Sequence, residues 1–156
     1  MTRISPSLKL LGTLTAGRSP GAIAYSAGSF WVVNAGDNTV SQFSLATKRQ
    51  VGSPIHVGAG AGSVAVGGGR VWVTGSTDGS LTRYDPSTGA QDTKRVGAGP
   101  EGVAYGAGAV WVANSGDGTV SRVDPQSVDV KTIKVGGSPA GLVYGAGRLW
   151  VTVQKQ

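Results

Sequence analysis

Tryptophan recurs at positions 31, 72, 111 and 150, at spacings of 41, 39 and 39 residues, and each carries the same neighbours with it. Eleven residues earlier stand Pro20, Ala61, Pro100 and Pro139, and three earlier stand Gly28, Gly69, Gly108 and Gly147. Six residues later come Asp37, Asp78 and Asp117, with Gln156 at the fourth place. A unit of about 40 residues cannot bury an apolar face by itself, so a chain of such units must stack them side by side. This repeat limits the fold more tightly than any other property of the chain.

Four short strands, A to D, can be read inside the unit. Strand A is Ile23–Tyr25, Val64–Val66, Val103–Tyr105 or Leu142–Tyr144, and a Gly-rich turn leads from it to strand B. Strand B is Phe30–Val33, Val71–Thr74, Val110–Ala113 or Leu149–Thr152. Its apolar residues do not alternate with polar ones, which is the pattern of a strand covered on both faces. The turn into strand C is Asp37-Asn38, Asp78-Gly79 or Asp117-Gly118, a strong hairpin signal. Strand C, for example Leu81–Tyr84, stops at Asp85-Pro86 or Asp124-Pro125, because proline has no N–H to give to a ladder. Strand D is expected near Ile55–Val57, Lys94–Val96 and Ile133–Val135. No helical periodicity competes with these strands.

Four antiparallel strands in each unit of about 40 residues describe one blade of a β-propeller, an all-β fold. Strand A would line the axis, where Ala24, Ala65, Ala104 and Val143 suit a crowded position. The four tryptophans are expected in the core between blades, where each buries about 150–250 Å².

The two ends of the chain fall within a blade. Met1–Pro6 aligns with Val120–Pro125 and is therefore a strand C, with Lys9–Thr15 the strand D after it, and the last unit stops just past strand B. The expected division is residues 1–17 as strands C and D of a closing blade, three full blades at 18–58, 59–97 and 98–136, and residues 137–156 as strands A and B of the closing blade. The interruption falls in the B–C turn, an exposed hairpin tip where it costs little. Such halves close 2+2. Pairing within one chain gives a four-bladed monomer, and pairing with a second copy gives an eight-bladed homodimer; the homodimer is the favoured expectation.

The 27 glycines follow no period of three and lie between apolar runs, as tight turns require. With no cysteine, disulfides and thiolate metal sites are excluded. No apolar stretch reaches membrane-spanning length, so no membrane partner is expected. The segment Met1–Pro6 lacks the apolar region of a signal peptide, which fits a cytoplasmic protein or a mature or trimmed chain. The net charge of +6 comes from basic residues scattered through all the units, so a solvated rim is expected rather than a nucleic-acid surface.

The run GVAYGAGAVWVANSGDGTVSRVDP at 102–125, followed by a strand and VGGSP, resembles the YVTN-type propeller repeats of bacterial proteins. These belong with a wider group that includes the streptogramin (virginiamycin B) lyases. The resemblance covers the chain in four copies and implies the propeller fold. It implies little about activity, because such repeats serve extracytoplasmic or cytoplasmic binding modules, regulators and a few enzymes. Family members usually carry more blades in one chain, which implies a fragment, a self-assembling partial propeller or an engineered chain. The lyase branch implies Mg²⁺ held with His and Glu at the propeller mouth. Here the only histidine, His56, falls on strand D, where the other copies have Thr15, Arg95 and Lys134. After the tryptophan come Asn34, Gly75, Asn114 and Val153. No catalytic residue and no cofactor are therefore expected.

Residues that break the repeat are the better candidates for ligand contact. Arg18 stands where other copies have Ala59, Ala98 and Gly137, and Glu101 where they have Gly21, Gly62 and Ala140. Both lie in D–A loops, on the face where Asn34 and Asn114 would add amide donors. Asp37, Asp78 and Asp117 are weak candidates for a cation ring: Ca²⁺ takes six to eight oxygens, and a turn role explains these residues directly. Arg3, Arg83 and Arg122 share a strand-C position two residues before Ser5, Asp85 and Asp124, which suggests local ion pairs or an anion-binding stripe. The expected function is a non-enzymatic binding or scaffold module with a small-molecule or sugar ligand at the loop face. The alternatives are a lyase-like metal-dependent enzyme fragment and a lectin-like propeller.

Overall fold

The turns set the architecture. In the computed structural model, which describes residues 1–7 and 9–155, both residues of every A–B turn have positive φ: Ala27 and Gly28, Gly68 and Gly69, Ala107 and Gly108, Ala146 and Gly147. That is the geometry of the two-residue hairpin whose twist matches its strands. Gln156, aligned with the turn aspartates, lies outside the described residues.

The hairpins assemble into five antiparallel sheets. The first pairs β1 (Thr2–Ile4) with β2 (Leu10–Thr13). Three four-stranded meanders follow. They are β3 (Pro20–Ser26), β4 (Ser29–Asn34), β5 (Thr39–Ser44) and β6 (Gln50–His56); β7 (Ala61–Gly67), β8 (Arg70–Gly75), β9 (Ser80–Tyr84) and β10 (Gln91–Arg95); and β11 (Pro100–Gly106), β12 (Ala109–Asn114), β13 (Thr119–Val123) and β14 (Val130–Lys134). The last sheet pairs β15 (Ser138–Gly145) with β16 (Arg148–Gln154). No helix occurs among the described residues.

Strand A begins earlier than its apolar core suggests, at Pro20, Ala61, Pro100 and Ser138. A register shift recurs just after each start, as between Ala61 and Val64. Strand D also begins earlier than expected, at Gln50, Gln91 and Val130. These outermost strands are exposed along most of their length, so they carry little apolar signal by which sequence could mark their start.

The inner strands β3, β7, β11 and β15 lie side by side in that order, so the sheets form an arc. Strand B is buried as its unbroken apolar run implies, from Trp31 to Asn34 on β4 and from Val71 to Gly75 on β8. One core cluster joins Trp31 and Val33 to Val64, Val71 and Val73 of the next blade; a second joins Trp72 to Val103, Val110, Val112 and Val123.

The tryptophans depart from the expectation that all four are core. Trp31 is 2% exposed, Trp72 is fully buried, Trp111 is half-buried and Trp150 is 56% exposed. Each is covered by the blade that follows it: a full blade follows the first two, half a blade follows Trp111, and none follows Trp150. Within the chain β1 and β16 share no sheet, so the two half-blades remain separate and the single chain is an open arc.

Candidate functional site

The loop face is built from one repeated contact. In each full blade the B–C turn aspartate reaches back 19 residues to the loop before strand A. Asp37 accepts the Arg18 N–H at 2.6 Å, Asp78 the Ala59 N–H at 2.8 Å and Asp117 the Ala98 N–H at 2.9 Å. The next turn residue takes positive φ in every case, at Asn38, Gly79 and Gly118. Two backbone bonds reinforce each contact, as in Ser76 N–H to Gly60 O and Thr77 N–H to Ala59 O. These aspartates staple turn to loop, and they form no metal cluster among the described residues.

Arg18 adds a side-chain contact that the other copies lack. Its Nε donates to Asp37 Oδ1 at 2.6 Å, and its guanidinium also reaches Gly36 O at 3.1 Å. The Arg18 N–H and then its side chain hold the Asp37 carboxyl below the usual carboxylate range. Burial pushes the Asp78 carboxyl up, but donors from Ser80 and the Ala59 N–H more than offset it, and the net shift is downward. Asp85 and Asp124 are lowered by the Ser87 hydroxyl and N–H and by the Ser127 and Gln126 N–H groups respectively, as turn formers ahead of proline should be.

Asn34 and Asn114, expected as donors to a ligand, are fully buried. Asn34 Nδ2 donates to Thr39 Oγ1 at 3.0 Å and Ser41 Oγ at 2.9 Å, and its Oδ1 accepts the Gly17 N–H at 3.0 Å. Asn114 Nδ2 makes the equivalent bonds to Thr119 and Ser121. These amides tie strand B to strand C and to the incoming chain, Asn34 through the Gly17 N–H and Asn114 through Val96 O at 3.3 Å; they do not open onto solvent. Glu101 is exposed and accepts from Ser115 Oγ at 2.8 Å. It lines a groove of about 440 Å³ with Ser115, Ser138, Thr152 and Gln154, between the third full sheet and the last hairpin. The candidates therefore form two separate groups, Arg18, Asn34 and Asp37 on one blade, and Glu101, Asn114 and Asp117 two blades on.

The strand-C arginines do not pair with the carboxylate two residues ahead. Arg83 binds Asp92 at 3.0 Å on the neighbouring strand and donates to Gln126 O of the next blade at 2.9 Å. Asp85 pairs instead with Arg70 at 3.1 Å. Arg122 lies over the Trp111 ring, 5.8 Å from its centroid, a cation–π contact across the strand pair. With these heads engaged inside blades or between them, Arg83 and Arg122 do not form an anion-binding stripe.

The residues do not fit the Mg²⁺ that the lyase resemblance implies. His56 is exposed at the end of the outer strand β6, while Glu101 sits on strand A of a different blade. The sequence marked the two half-blades but not the side chains left exposed at the ends of the arc, Ile23, Tyr25, Val143 and Trp150.

No protein-family model matches the chain, and no curated protein matches it. Solved structures do. Virginiamycin B lyase from Staphylococcus aureus superposes with a TM-score of 0.84 at 19% identity, over 97% of this chain and 55% of the lyase. The computationally designed proteins Ika4 and Ika8 superpose with TM-scores of 0.72 and 0.74 at 14% identity, covering 89% and 94% of this chain and 93% and 47% of theirs. The chain thus spans about half the length of the lyase chains it matches. A meander of four antiparallel strands, repeated around an arc of inner strands and shared with these proteins, is a β-propeller fold.

Proposed function

We propose that this chain is a non-enzymatic β-propeller module that completes a larger, eight-bladed ring with a second copy and presents its loop face as a binding or scaffold surface. The observation that carries this reading is the pair of half-blades. β1–β2 supplies strands C and D, β15–β16 supplies strands A and B, and each is a two-stranded sheet with a free edge. An unpaired edge of this kind seeks another strand. The full blades give the register. Trp72 is opposite Arg83 and Trp111 opposite Arg122, so Trp150 would stand opposite Arg3 of the second copy and Leu149 opposite its Ile4.

The non-enzymatic part is supported by how the loop-face groups are used. Arg18, Asp37, Asp78, Asn34 and Asn114 all serve turn, strand or loop contacts that build the blades. Sedimentation equilibrium tests the assembly, with an expected mass of twice 15.6 kDa. Incubation with a streptogramin B and Mg²⁺ tests the chemistry. No ring opening is expected, and turnover that disappears in Glu101→Ala would overturn the non-enzymatic reading.

A second reading has one observation in its favour. The groove at Glu101 offers a carboxylate with the hydroxyls of Ser115, Ser138 and Thr152, a donor and acceptor set suited to a sugar or other small polyol. Chemical-shift changes at these residues on titration with monosaccharides would support it, and unchanged shifts would remove it.

A further inference from the structure

Inside the chain, successive blades interlock through a tyrosine seated on a glycine. The ring of Tyr105 lies against Gly67 and the ring of Tyr144 against Gly106, so closely that a Cβ at either glycine would run into the ring. Neither glycine is among the residues with positive φ, so the ring excludes a side chain there and the backbone does not. At the remaining junction the following blade brings Val66 in place of tyrosine, and the glycine position holds Ser26. The chain keeps one rule throughout: glycine where the next blade brings tyrosine, and a side chain where it brings valine.

The third glycine of this series is Gly145, and nothing lies within 4 Å of a Cβ built on it. The third tyrosine is Tyr25, 56% exposed on the first inner strand β3. One end of the arc holds an empty seat and the other an unseated ring. The tryptophans repeat the pattern. Trp31 shares a core cluster with Val64 and Val71 of the next blade, and Trp72 with Val103 and Val110. The matching acceptors for Trp150 are Ile23 and Phe30. Ile23 is 52% exposed, whereas Val64 and Val103 are each 8% exposed. With Ile4, Leu14 and Leu45, Ile23 and Phe30 line an apolar cavity of about 440 Å³ between the first hairpin and the first full sheet.

We infer that Trp150 of one copy fills the Ile23–Phe30 cavity of a second copy, whose Tyr25 ring seats on Gly145, and that this interlock selects which ends of the two arcs meet. The inference rests on the self-assembly proposed above and names its contact residues. The occupant is a second copy because β1 and β16 of one chain share no sheet and its own Trp150 and Ile23 both stay more than half exposed. The arc also superposes on about half of a larger propeller chain. In a two-fold pair the junction forms twice, so both seats and both cavities are filled and no free edge remains.

The chain's own Ser26–Val66 junction supplies the test. Sedimentation equilibrium is run on the full chain as wild type, Gly145→Ser, Tyr25→Val and the double variant, with circular dichroism to check that each folds. Gly145 is unobstructed in the single chain, so serine there leaves the fold of the arc intact. Wild type is expected to be a dimer, and Gly145→Ser to raise its dissociation constant about tenfold or more by overpacking under the Tyr25 ring. Adding Tyr25→Val recreates the Ser26–Val66 pair and restores association, whereas Tyr25→Val alone weakens the dimer by emptying the seat. A wild-type dimer indifferent to all three changes overturns the interlock but leaves self-assembly standing. A wild-type monomer at every concentration overturns both.

Discussion

Asn34 and Asn114 each follow the tryptophan by three residues, and in sequence they read as polar groups aimed at a ligand. The structure commits them to hydroxyls of the next strand, and Asn34 also to the Gly17 N–H, in a site with no access to water. Asn34→Ala would orphan that half-buried N–H and two buried hydroxyls, with an expected loss of about 1–3 kcal/mol in urea unfolding. Glycine is equally position-specific. Gly67→Ala pushes a methyl group into the Tyr105 ring and is expected to cost about 1–3 kcal/mol, with much of the loss recovered by pairing it with Tyr105→Val. The repeat showed that these residues recur. It did not show what they touch, because the contact is made by a different blade or a strand reached through a turn.

At the scale of the element, the B–C hairpin was legible in full, since Asp-Gly and Asp-Asn carry their own geometry. What the aspartates bind was not, because the loop they staple lies 19 residues back. This contact at Asp37 and Asp78, with the Asp-Pro turns at Asp85 and Asp124, gives a pH dependence whose sign follows from the lowered values of these four carboxyls. A carboxyl whose folded value lies below its unfolded value of about 3.9 contributes stability that is fully present above the unfolded value. That contribution is lost as pH falls through the lower, folded value. Thermal melts should therefore be flat from neutral pH down to about pH 5 and fall steeply below about pH 4. Asp37→Asn and Asp78→Asn together should flatten the acid limb. Strand D shows the opposite case: an exposed outer strand needs no apolar pattern, so its start was visible only once its ladder to strand C was seen.

For the whole molecule, the tryptophans serve as a gauge of how complete the ring is. Trp72 is sealed between two full blades, and Trp72→Ala is expected to cost about 3–5 kcal/mol in chemical unfolding. Trp150 has no blade beyond it, so Trp150→Ala should leave unfolding of the dilute chain within about 1 kcal/mol of wild type, as surface changes do. At higher concentration the same variant should lose the proposed dimer. The contrast between two residues in the same place in the repeat separates the stability of the arc from the closing of the ring.

The sequence alone determined the blade: its strand count, its turns, its sandwiched strand B and the order in which blades stack. All of these follow from periodicity and from backbone geometry local to a few residues. Only the tertiary structure decided that β1 and β16 share no sheet, that the polar residues of the loop face serve the blades, and that the Tyr25 ring rests on Phe30 with no glycine seat while Gly145 has no ring upon it. Those outcomes depend on curvature and on contacts reached through a turn, a loop or the next blade, where a repeat shows which residues are equivalent and leaves open which of them meet.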